Sequence, residues 1–321
     1  MHLLRYASLA IMLLATVTSA HAQPTQEPIR IVFPFPAGGA GDAVVRMLAE
    51  SMQGSLGRPV IVENKAGAGG RIGVQMVKDA PPDGSVLLVT PVAPMVVFPH
   101  VYENLGYDPV ADFWPISQIA TFDLGVAVGP GVPAKSLEEL IGWLKSHPTQ
   151  ASYGSPAAGS LPHFFAVQLG RMTGIDLRQV AYKGSPPAIT DLMGGHLPTY
   201  FGPTQELVEA HKAGNIRILA TSGAARSPAL PEVPTFREAG YAIEADVWFG
   251  VYAPRKTPAE VIMRLNKTIV AAIQSSDIRT RMLALGLRPT GTSSTELAEI
   301  QHADFERWGP VVKASGFKPS Q

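Results

Sequence analysis

Cysteine is absent from all 321 residues. That excludes thiol nucleophiles, iron–sulfur clusters, cysteine-ligated zinc and disulfide staples together. It also excludes a bacterial lipoprotein anchor, which needs a cysteine after the leader. Net charge is absent as well: Lys+Arg and Asp+Glu each number 26. With no run of Lys and Arg, the chain lacks the basic surface that neutralises phosphates, so no nucleic-acid partner is expected. Charged residues make up only 16% and hydrophobic ones 46%, which argues for a packed core. No apolar run reaches the ~20 residues of a membrane span. The stretch from Tyr6 to Val17 follows Arg5 and precedes Ala20-His21-Ala22. A weakly basic start, a short apolar run and a small-x-small site read as an export signal over residues 1–22. The expected mature product is a periplasmic protein without a lipid anchor.

Signatures of chemistry are missing too. No serine sits in a G-x-S-x-G elbow. The first glycine loop is not a Walker P-loop, and Gly39-x-Gly41 runs on to Val44 where a dinucleotide fingerprint needs glycine. The histidines beyond the leader (His100, His147, His163, His196, His211, His302) show no ligand spacing, so no metal and no cofactor is expected. Ser160 and His163 lie close in sequence and offer a remote serine-hydrolase alternative. The simpler reading of His163 is a residue that orders its own loop.

Glycine (31) and proline (29), by contrast, are plentiful, and point to many short loops. Between those loops, strand and helix patterns alternate, which is the mark of an α/β fold. Ile29 to Phe33, Val60 to Glu63 and Val86 to Val89 read as strands. Arg178 to Tyr182, Ile216 to Ala220 and Val247 to Ala253 read likewise. Ser136 with Glu139 predicts a capping box, and Ser293 and Glu296 open the last helix. Two stretches share one design of strand, Gly/Ser/Pro loop and helix. The first runs through Pro34-Phe35-Pro36-Ala37-Gly38-Gly39-Ala40-Gly41-Asp42, with Asp42 expected at the helix N-cap. The second runs from Tyr153 to His163. Free N–H groups and the helix dipole at such a start favour an anion. Each loop alone reads equally well as a tight structural turn; together they point to a two-sided anion site.

The ordered motifs then carry a resemblance. They are Pro28-Ile29-Arg30-Ile31-Val32-Phe33-Pro34-Phe35-Pro36-x-Gly38-Gly39 with Asp42, Val60-x-Val62-Glu63-Asn64 and Gly67-Ala68-Gly69-Gly70. Tyr107-Asp108-Pro109, Tyr153-Gly154-Ser155, Pro162-His163, Tyr182-Lys183-Gly184 and Asp191-Leu192-x-Gly194-Gly195 follow. Arg226-Ser227-Pro228, Trp248-Phe249-Gly250 and Arg307-Trp308-Gly309 complete the set. Over 27–317 the chain resembles the periplasmic receptors of tripartite tricarboxylate transporters, the Bug family.

That resemblance implies a type II periplasmic binding-protein fold, with two α/β lobes joined by crossing strands and a ligand cleft between them. Crossings near Phe122–Val128 and Asp246–Ala253 give lobe one as 23–125 plus 248–321 and lobe two as 126–247. It implies a non-enzymatic receptor, monomeric by default, that holds a small carboxylate and delivers it to membrane transporter subunits. Output to a membrane sensor kinase would use the same fold and pocket. Backbone amides and bridging waters from both loops would hold the ligand. Carried onto this chain, the site is Phe35, Ala37, Gly38, Gly39, Gly41, Asp42, Thr90, Ser155, Ala157, Gly159, Ser160, His163, Tyr182, Lys183 and Gly202. The chain departs from the family pattern in three places, the first being Ala37, Ala40 and Gly41 where proline, glycine or serine, and threonine are common. Thr90 is followed by Pro91-Val92-Ala93-Pro94, and Gly202-Pro203 replaces a common acid. These departures imply a less polar, roomier pocket, and a carboxylate with an apolar or aromatic body rather than citrate or aspartate.

Overall fold

The computed structural model describes residues 27–244 and 246–318. The expected leader lies outside them. Strand β1 (Ile29–Phe33) is a short, mostly buried apolar run. The first glycine loop leads into α1 (Ala40–Leu56), which buries Val44, Val45, Leu48 and Met52 at helical spacing. Gly57 ends that helix at φ 63°, a conformation in which a side chain would be strained. Next come β2 (Val60–Asn64), α2 (Arg71–Lys78), β3 (Val86–Pro91), α3 (Val92–Val96), α4 (Phe98–Val101) and β4 (Phe113–Phe122).

One residue, Asp123, separates β4 from β5 (Leu124–Val128), and there the chain changes sheet. The second sheet is built with α5 (Leu137–Ser146), β6 (Ser152–Ser155), α6 (Leu161–Thr173), β7 (Arg178–Ala181) and α7 (Ser185–Met193). It is completed by β8 (Thr199–Pro203), α8 (Val208–Lys212) and β9 (Arg217–Thr221). The chain returns through β10 (Val247–Pro254), then α9 (Ala259–Gln274), α10 (Ser276–Ala284), β11 (Arg288–Pro289) and α11 (Ser294–Ser315).

The six-stranded sheet runs β11-β4-β10-β3-β1-β2 and the five-stranded sheet β7-β6-β8-β5-β9. β1 lies parallel to β2 and β3, whereas β10 is antiparallel to β3 and β4. β3 and β10 are apolar almost throughout because helices cover both faces of the sheet. At the first crossing, Arg288 donates to Asp123 Oδ1 at 3.0 Å and also to Asp246 just before β10. Helix α11 reaches the second sheet's layer as well. Trp308 lies 5.8 Å from Phe165, and Phe317 packs edge-on to His163 at 4.4 Å.

Both expected helix caps form, with one difference. Ser293 and Glu296 make a reciprocal box. Ser136 accepts from the Glu139 amide, but the Glu139 carboxylate accepts from Lys135 N instead of Ser136 N.

Candidate functional site

Helices α1 and α6 start in the same way. Their N-cap residues, Gly39 and Ser160, have φ/ψ of −85°/169° and −85°/168°, and neither side chain caps its helix. The first-turn amides of both helices therefore lack a side-chain acceptor from the N-cap. Both starts face one cavity between the two sheets.

Asp42 explains the shape of the first loop. It is not the N-cap expected from sequence; Gly39 is, and Asp42 sits in the first turn. Its Oδ2 accepts from Gly38 N at 3.1 Å and Arg46 Nε at 3.0 Å, and its Oδ1 accepts from Asn64 Nδ2 at 2.9 Å. Asn64 also donates to Phe35 O. Burial alone would raise the Asp42 carboxyl, but its Arg46, Asn64 and Gly38 donors outweigh that and hold it below the usual range. Asp42 thus pins the loop to the end of β2, with three donors on its carboxylate.

The second loop is braced from behind. Ser155 Oγ accepts from Gln179 Nε2 at 2.7 Å and is fully buried. Ser160 Oγ turns back to donate to Ala157 O at 2.6 Å. His163 Nδ1 accepts from Gly159 N at 3.2 Å, and burial lowers its pKa to about 4 despite an opposing contact from Gln179.

The cavity measures about 110 Å³, where one water needs roughly 10–15 Å³. Its walls are largely apolar and rich in phenylalanine and proline. Phe249 stacks on Phe122 at 4.9 Å and meets Phe33 edge-on at 6.2 Å, and Phe35 and Phe98 complete the aromatic lining. Pro36, Pro91, Pro156, Pro162, Pro186 and Pro203 fill much of the remainder. Among the described residues two ionisable ones line it, Asp42 and Glu206. Glu206 follows β8 and reaches across to α1: a side chain on Gly39 would begin 2.9 Å from Glu206 Oε1. Burial pushes the Glu206 carboxyl above the usual range, outweighing the Ser185 hydroxyl and the Ala40 amide, which pull it down.

The profile of the tripartite tricarboxylate transporter family receptor matches residues 44–317. The chain belongs to that receptor family. Bordetella pertussis BugT is 34% identical over 307 residues, covering 95% of this chain and 94% of BugT. The solved periplasmic binding protein BugD superposes with a TM-score of 0.86 at 31% identity, over 92% of this chain and 99% of that one. An R. palustris protein solved with adipate gives 0.87 at 32% identity, over 91% and 98%. The chain is thus a Bug-type periplasmic solute-binding receptor with two α/β lobes, not an enzyme. In this receptor, Ser160 Oγ and His163 Nδ1 are each engaged with loop backbone rather than with each other. Among the described residues no cluster of three His, Cys, Asp or Glu could hold a metal ion. No helix among them is long and apolar enough to cross a membrane.

Of the receptor's candidate site residues, Phe35, Gly39, Gly41, Asp42, Ala157 and Ser160 line the cavity. Ala37 and Gly38 are exposed on the first loop. Thr90, Ser155 and His163 are buried outside the lining, and Gly159 packs close to Phe317 and Val101. Tyr182 donates to Asp191, and Lys183 is exposed. Gly202 does not widen the cavity. A Cβ there would meet the Tyr200 hydroxyl at 2.2 Å, so Tyr200 fills the space its missing side chain leaves. Sequence reading missed Glu206, Ser185 and the aromatic wall of Phe98, Phe122 and Phe249. One signal for Glu206 was available: the acid common after this strand is absent at 202, and the chain supplies one four positions later.

Proposed function

We propose that this receptor closes on a small carboxylate with an apolar or aromatic body and hands it to the membrane subunits of a tripartite tricarboxylate-type transporter. One observation carries the reading: two helix starts without an N-cap side chain face a cavity whose walls are rich in phenylalanine and proline. The exported chain, cleaved after Ala22, acts as a monomer with lobes 23–125 plus 248–321 and 126–247. Phe35, Gly39, Gly41, Asp42, Ala157 and Ser160 form its contact surface. The first-turn amides of α1 and α6 that Glu206 does not engage hold the carboxylate, and the aromatic wall takes the body of the ligand. Hydrogen bonds to a charged acceptor contribute about 1.5–3 kcal/mol each. Three of them with apolar burial approach the roughly −8 kcal/mol of micromolar binding. The adipate bound to the R. palustris relative, with its apolar chain between carboxylates, supports this ligand class.

A thermal-shift panel of mono-, di- and tricarboxylates with aromatic acids tests the reading, since a native-state ligand raises Tm by mass action. Benzoate-like or long-chain acids are expected to shift Tm more than citrate or aspartate. A shift confined to citrate or aspartate would overturn the apolar-bodied ligand, and no shift from any acid would overturn carboxylate capture.

A further inference from the structure

Glu206 stands where a ligand carboxylate would have to share space. It comes from the layer of the second sheet, yet its Oε1 lies over the start of α1 in the first. Its Oε2 is sealed from solvent and makes no hydrogen bond. The remainder of the residue keeps surface open to the cavity. No lysine, arginine or histidine lines that cavity among the described residues. The other acid, Asp42 on α1, already accepts from Arg46, Asn64 and Gly38. An incoming carboxylate therefore meets a second carboxyl and no side-chain counter-ion. Two carboxylates confined to one apolar site do not both stay ionised.

We propose that Glu206 captures the ligand as a carboxylic acid, so that each carboxylate bound brings one proton with it. The proton comes from solvent and stays on Glu206; its O–H then donates to a ligand oxygen in the cavity. The surroundings favour this balance. Burial already biases Glu206 toward its neutral form. Tyr200 on β8, which feels the Glu206 charge, is held neutral by burial. Ser185 on α7 and the Ala40 amide on α1 are the opposing groups, and both are uncharged. Asp42 on α1 stays ionised and adds a like charge to the cavity. His163, with a pKa of about 4, does not titrate between pH 6.5 and 8.5. The sign follows from linkage. The complex holds more protons than the free protein, so affinity falls as pH rises through the free Glu206 pKa.

This inference rests on the carboxylate reading above, and its test separates the two. Calorimetric titrations of wild type and Glu206→Gln with benzoate and adipate are run at pH 6.5 and 8.5, each in phosphate and in Tris. The expected wild-type result is uptake of close to one proton per ligand at pH 8.5, with Kd rising by up to about tenfold per pH unit. Glu206→Gln is expected to bind with no proton uptake and a flat pH profile. As a ligand-independent readout, the Glu206 carboxyl carbon, assigned by its loss in Glu206→Gln, should titrate above the ordinary glutamate range. Binding without proton uptake, a wild-type slope retained in Glu206→Gln, or an ordinary Glu206 titration would overturn the proton link and leave the receptor reading standing. No binding of either acid to either protein would overturn the carboxylate reading, and the link with it.

Discussion

His163 shows how a residue beside a site can govern stability. It is 4% exposed, packs against Phe164 and Phe317, and accepts the Gly159 amide in its neutral form. Burial drops its pKa from 6.5 to about 4. Between those values the unfolded chain binds the proton and the folded one does not. Stability from this group is full above pH 6.5 and drains away as pH falls toward 4, by about 3 kcal/mol in all. In urea unfolding, wild type should lose that amount between pH 7 and pH 4 beyond what His163→Gln loses; equal losses would show that the ring is not held neutral. Single residues were only partly legible in sequence. The loop-ordering role of His163 was, because its position after a glycine loop offers a nearby amide. Asp42 was read as a cap because its type fits one, but the cap sits at Gly39 and the carboxylate reaches back to Gly38. Gly202 was read as open space, since sequence does not reveal that Tyr200, two residues away on the same strand face, folds over it.

Elements were more legible where burial is uniform. β1, β3 and β10 are apolar runs because both faces of their sheet are covered. β4 escaped detection for the opposite reason. It carries Pro115, Ser117 and Gln118, and its polar groups are satisfied far along the chain: Ser117 Oγ donates to Thr292 O at 2.7 Å, and Gln118 N to Thr292 Oγ1 at 2.8 Å. No local pattern encodes partners that distant. The first helix shows what an element start has to accommodate. A Cβ on Gly41 would lie 2.8 Å from both Phe33 Cζ and Phe249 Cζ. Gly41→Ala must therefore move the aromatic wall, and overpacking of this kind costs about 1–3 kcal/mol. Gly54, in the same helix, has open space around its missing Cβ, so Gly54→Ala should gain about 0.5–1 kcal/mol from helix propensity. Urea unfolding should give opposite signs for the pair, with weakened ligand binding in Gly41→Ala alone. The same sign for both would mean that the wall yields without strain.

On the scale of the whole molecule, two lobes need a joint that bends without coming apart. The chain changes sheet at Asp123 and enters β10 just after Asp246, and Arg288 beside β4 bonds to both. Asp123 is 4% exposed, and burial holds its pKa above the usual range although Arg288 pulls it down. Replacing Arg288 by alanine leaves that carboxyl buried beside Asp246 with its cation gone. Breaking a buried pair costs about 3–5 kcal/mol. The Arg288 side chain is 40% exposed, so solvent screening reduces this to about 2 kcal/mol. The pH dependence distinguishes this cause from lost packing. With its folded pKa raised further, Asp123 in the variant carries its penalty in full above that pKa. The penalty shrinks as pH falls and disappears once the unfolded carboxyl, near 3.8, is protonated too. The deficit of Arg288→Ala relative to wild type should therefore be largest at pH 8 and close toward pH 4. X-ray scattering at pH 8 should give a larger radius of gyration for the ligand-free variant, because the tie across both crossings is cut. A deficit that is constant with pH, with unchanged scattering, would make Arg288 a packing residue and leave the joint to the strands themselves.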